Sequence, residues 1–72
     1  MDGLTAIEVD FNRPPTMGLY TAAERQASSP VAKNERVLAV DYGDDPPIIV
    51  QAIVRTVGMG IVWLEVDWDT RQ

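Results

Sequence analysis

From Ile48 to Trp68 apolar residues alternate on both sides of a glycine-containing break, the pattern of a β-hairpin with one buried face. With a three-residue loop at Gly58-Met59-Gly60, where a left-handed glycine is the usual requirement, the register predicts Val54 opposite Leu64, Ala52 opposite Val66 and Val50 opposite Trp68. The alternate residues then pair as Val57 with Ile61, Arg55 with Trp63, Ile53 with Glu65 and Gln51 with Asp67. One face is wholly apolar and the other mixed. A two-residue loop would slip the register by one, set Arg55 on the side of Val62 and mix the faces, so the pattern favours the longer loop.

Thr5 to Phe11 also alternates, with Ile7, Val9 and Phe11 on one side and Glu8 and Asp10 on the other, and reads as a half-buried first strand. Asn12-Arg13-Pro14-Pro15 ends it, because proline cannot donate to a ladder. The excursion from Asn12 to Asn34 is longer than most connections in compact domains. Within it Thr21-Ala22-Ala23-Glu24 matches a capping box and predicts a short helix from Ala22 to Ala27, which Ser28-Ser29-Pro30 would stop. Arg36 to Tyr42 reads as a second strand, apolar on both faces and therefore central, and Gly43-Asp44-Asp45-Pro46-Pro47 is a turn into the hairpin. The expected core is Ile7, Val9, Phe11, Leu38, Val40, Val50, Ala52, Val54, Val62, Leu64, Val66 and Trp68.

This layout of one strand, a long irregular excursion and three closely joined strands resembles the SH3-like small β-barrel. The resemblance is carried by Ala6-Ile7-Glu8-Val9-Asp10-Phe11, Arg36-Val37-Leu38-Ala39-Val40-Asp41, Ala52-Ile53-Val54 and Val62-Trp63-Leu64-Glu65-Val66-Asp67-Trp68. It implies a mainly β fold, a small SH3-like antiparallel barrel of four to five strands, in a single domain over residues 1–72. A fifth strand would come from Met17 to Thr21, from the tail or from another copy. The segments Arg-Val-Leu-Ala-Val-Asp and Val-Trp-Leu-Glu-Val-Asp-Trp-Asp are also similar to short uncharacterised proteins of actinobacteria and their phages, a likeness that implies no activity. Proline-peptide binding is not implied, because the chain has neither Ala-Leu-Tyr-Asp-Tyr nor adjacent tryptophans.

Chemistry is restricted by what is missing. With no cysteine and no histidine in 72 residues, thiolate metal sites, cysteine nucleophiles and the commonest general base are excluded. No nucleophile stands with a base and no loop has converging oxygen ligands, so no catalytic residue, cofactor or metal is expected. The net charge is −5, and residues 37–72 hold six acids against Arg55 and Arg71. Such a surface repels phosphate backbones, so direct nucleic-acid binding is disfavoured and a basic protein is the easier partner. The N-terminus lacks a basic leader and no apolar stretch is long enough to span a bilayer, so a cytoplasmic protein without a membrane partner is expected.

The candidate partner-binding residues follow from the hairpin register. Trp63 points outward beside Arg55, with Ile53 and Ile61 adjoining and Glu65 and Asp67 at the border. Exposed Trp and Arg are enriched at binding hot spots. The competing explanation is that the long excursion covers Trp63 through Met17 or Leu19. These residues favour a small acidic protein-binding module of bacterial or phage origin, without catalytic activity. The alternative is an acidic inhibitor that imitates nucleic-acid charge with Glu65, Asp67, Asp69, Asp41, Asp44 and Asp45, and blocks a host nucleic-acid-binding protein. Open sheet edges further predict a homodimer formed through a strand edge.

Overall fold

The computed structural model describes residues 3–72 and contains one five-stranded sheet. The strands are β1 (Ala6–Glu8), β2 (Tyr20–Ala23), β3 (Arg36–Asp41), β4 (Ile48–Gly58) and β5 (Ile61–Asp67). Their order across the sheet is β1-β3-β4-β5-β2, and the sheet curls into a half-barrel. The fifth strand therefore comes from the long excursion. Neighbours pair antiparallel as expected except β1 with β3, which run parallel, Ile7 standing beside Ala39.

The hairpin register agrees with expectation from Gln51–Asp67 to Val54–Leu64 and then shifts. A bulge between Val54 and Thr56 sets Arg55 out of register, so that Thr56, not Arg55, stands opposite Trp63, and Val57 stands opposite Val62. The loop has two residues, Met59 and Gly60, at φ +55° and +78°, the signature of a type I′ turn. The extra residue needed to keep Val54 and Val57 on the apolar face sits in the bulge rather than in the loop. A second tight turn is built alike: Met17 and Gly18 have φ +53° and +80° between Thr16 and Leu19, whose backbones exchange two 2.9 Å hydrogen bonds.

Methionine is an unfavourable choice at a left-handed position, and neither side chain recovers anything by packing, since Met17 is 95% and Met59 101% exposed. Asn is the residue such a turn prefers. Met59→Asn is expected to stabilise the chain by about 0.5–1 kcal/mol, measured as a higher urea midpoint at constant slope. A lower midpoint would show that Met59 makes a compensating contact.

The core contains Ile7, Val9, Ala22, Val37, Ala39, Val50, Ala52, Val54, Val62 and Leu64, with Phe11, Tyr20, Val57 and Val66 packed against it. Leu38 does not belong to it, and Val40, although only 5% exposed, stands outside this cluster. Register decides this: Val37 pairs with Ala52 and Ala39 with Val50, so these residues face inward and Leu38 and Val40 lie on the opposite side. Trp68 also differs from expectation. Strand pairing ends at Asp67, Trp68 opens a 3₁₀ turn to Thr70 and remains 43% exposed.

No helix forms over Ala22–Ala27. Thr21 belongs to β2 opposite Trp63, and only Glu24–Gln26 make a 3₁₀ turn, without a side-chain cap. The N–H of Glu24 donates to Gly60 O at 2.8 Å instead, so the hairpin turn leading into β5 satisfies the backbone that a capping box would have served. That bond also sets the parity of β2, directing the peptide groups of Thr21 and Ala23 away from β5 toward β1. On the facing strand, Ser28 N–H donates to Ala6 O at 2.8 Å and Ser28 Oγ accepts from Ala6 N–H at 3.1 Å. The two edge strands thus face one another across a seam, and no backbone hydrogen bond joins β1 to β2 among the described residues.

Candidate functional site

Three strands build the outward face. Because Arg36 pairs with Ile53 and Ile53 with Glu65, one row crosses β3, β4 and β5 as base, aliphatic, acid. The next row is Leu38, Gln51, Asp67, and on the other side Thr56 and Thr21 flank Trp63. Trp63, Ile53 and Leu38 are half-buried and Ile61 is exposed, so the face carries an apolar strip that the chain leaves partly open. Of the long excursion, β2 lies beside Trp63 rather than over it, and Met17 projects into solvent.

The polar residues of this face are paired. Displaced by the bulge, Arg55 donates through Nε to Glu65 Oε1 at 2.7 Å, with Nη2 also 2.7 Å from that oxygen, rather than standing opposite the Trp63 indole. Arg36 Nη1 donates to Gln51 Oε1 at 2.8 Å and lies 3.9 Å from Asp67 Oδ2. With the Arg55 and Glu65 side chains 43% and 56% exposed, that pair contributes little to stability. Its consequence is electrostatic, for the border expected to be acidic is balanced by two arginines. Ile53, Ile61, Trp63, Arg55, Glu65 and Asp67 do share one region, but as a neutral face with a central apolar strip.

The other acids are dispersed. Asp41 is only 5% exposed and its carboxylate accepts from Phe11 N–H at 2.9 Å and Gly43 N–H at 2.7 Å. Asp69 lies in the 3₁₀ turn, its N–H bonded to Asp67 Oδ1 at 3.2 Å, so it does not continue the strand row of Glu65 and Asp67. Imitation of nucleic-acid charge would need these groups free and aligned. Among the described residues no three carboxylates gather as a metal site.

At the end of the half-barrel beyond Asp67, Phe11, Tyr20 and Trp68 form an aromatic cluster, with centroids 5.1 Å apart for Phe11–Tyr20 and Phe11–Trp68 and 6.1 Å for Tyr20–Trp68. The planes of Tyr20 with Phe11 and Trp68 meet at 89° and 79°. Edge-to-face contact at this range is mutual packing. A cage for a cationic head group needs the rings drawn further apart, with their faces toward a shared space.

Along the seam between β1 and β2 lies an open cleft of about 500 Å³ whose walls include Glu8, Asp10, Arg13, Thr21, Gln26 and Asp41. Asp10 Oδ1 accepts from Asn12 N–H at 3.0 Å, so both aspartates here are engaged in holding turns. Among the described residues no helix is long and apolar enough to cross a membrane. No known protein family matches the chain, and no curated protein or solved structure matches it.

Proposed function

We propose that this chain is a small, non-catalytic protein-binding module of SH3-like layout, cytoplasmic and of bacterial or phage origin, whose contact surface is the outward face of β3, β4 and β5. The observation that carries this reading is the half-open strip of Trp63, Ile53 and Ile61, bordered by the Arg55–Glu65 and Arg36–Asp67 pairs. An apolar centre with a polar border containing Arg and Trp is the anatomy of a protein contact. The remaining excess of acids, within a net charge of −5, steers a basic protein toward the chain and nucleic acid away from it. The acidic-inhibitor reading has less support, because Asp41 is buried and Glu65 and Asp67 have arginine neighbours.

Trp63→Ala tests the site. The residue is half-buried on the outer face, outside the core cluster, so the variant should fold. Its affinity for a captured partner is expected to fall by about 2 kcal/mol in calorimetry. A folded variant that binds as tightly as the parent would remove this face from the reading.

A further inference from the structure

We infer that the outward face binds a second copy of this chain, packed face to face about a two-fold axis running along β4. This rests on the reading of that face as a contact surface and assigns the occupant. The row Arg36–Ile53–Glu65 runs from positive through apolar to negative across adjacent strands. A two-fold rotation about an axis along β4 exchanges the β3 and β5 sides. It therefore brings Arg36 over Glu65 of the second copy, Glu65 over its Arg36, and Ile53 against its own equivalent. That row is self-complementary in charge, as an isologous contact requires.

Electrostatics makes this approach the favourable one. Two chains of net charge −5 repel each other, but here Arg36 and Arg55 balance Glu65 and Asp67. The groups retain capacity for a partner: both contacts from Arg55 fall on Glu65 Oε1, and those of Arg36 involve Nη1. Strand-edge pairing through β1 is limited, since Ser28 occupies the backbone groups of Ala6. Because the face is the convex side of a half-barrel, the contact is confined to three strands. It belongs with small, weak interfaces and forms only at high concentration.

Sedimentation equilibrium of the full chain up to about 1 mM tests this, and the weight-average mass should rise from 8.0 kDa toward twice that value. Arg36→Glu and Glu65→Arg, each alone, set like charges across the axis and should weaken self-association at least about tenfold. Combining them restores opposite charges and should recover most of the loss. Ile53→Asp places two carboxylates on the axis and should leave a monomer. All three substitutions lie at outer-face positions outside the core cluster, and circular dichroism checks that each variant folds. A parent chain that stays monomeric at about 1 mM overturns the assignment, as does a dimer indifferent to Ile53→Asp or a double variant no better than the singles. The two readings fail separately. A monomer whose binding to another protein is lost in Trp63→Ala keeps the contact face and removes the second copy, whereas partner binding insensitive to Trp63→Ala removes the face.

Discussion

Replacing Leu64 with Ala is expected to lower the unfolding free energy by about 2–5 kcal/mol, a large share of what a domain of this size possesses. Leu64 is fully buried, faces Val54 across the hairpin and pairs with Tyr20 on its other side, so it joins the two halves of the curled sheet. Its neighbours in the core are mostly Val and Ala, short side chains that cannot extend into the space a lost isobutyl group would leave. A chain of 72 residues buries only about 60% of its unfolded surface and has no second core to compensate. In urea the midpoint should drop while the slope holds, and Leu64→Met, which conserves volume, should cost less than about 1.5 kcal/mol. A loss below about 1 kcal/mol for Leu64→Ala would mean that the half-barrel collapses around the vacancy.

The second large effect belongs to a polar residue. Asp41→Ala removes the acceptor for both Phe11 N–H and Gly43 N–H and is expected to cost about 2–3 kcal/mol. Position matters more than charge here, because Phe11 N–H ties the end of the first strand segment to β3 and sets the Phe11 ring against Tyr20 and Trp68. The variant should therefore also change the fluorescence of Trp68, which a purely local loss would leave alone. Gly43 supplies a control. A Cβ built there would come within 3.0 Å of Asp41 Oδ1, so Gly43→Ala should destabilise the parent and do so less in the Asp41→Ala background. Equal costs in both backgrounds would show that the carboxylate does not set the turn.

Inner and outer faces of the β4–β5 hairpin were legible because four pairs, Gln51–Asp67 to Val54–Leu64, place every small aliphatic on one side. The bulge was not. Nothing in Arg55-Thr56 marks an extra residue, and a pattern read with loop length as its only variable assigns that residue to the turn. The outward site inherited this error. Its members are close together, yet Arg55 turned to Glu65 and left Thr56 opposite Trp63. The two arginines that neutralise Glu65 and Asp67 lie on β3 and in the bulge, where linear spacing does not show them as neighbours.

Local chemistry by itself determined what alternation and turn residues can encode: an all-β chain, a hairpin with one apolar side, strands at Ile7 and at Arg36–Asp41, and an outward Trp63. Tertiary structure alone decided the remainder. Val37 and Ala39 were as apolar as Leu38 and Val40, so only pairing with Ala52 and Val50 could select the inner side of β3. Thr21 to Glu24 could cap a helix or lie as a strand, and the exposed edge of β5 and the hairpin turn leading into it selected the strand because they offered Tyr20–Ala23 a ladder and Glu24 N–H an acceptor. In both cases the local preferences were nearly degenerate. Backbone hydrogen bonds and buried contacts made between residues far apart in the chain are larger than such differences in propensity, and they settled the outcome.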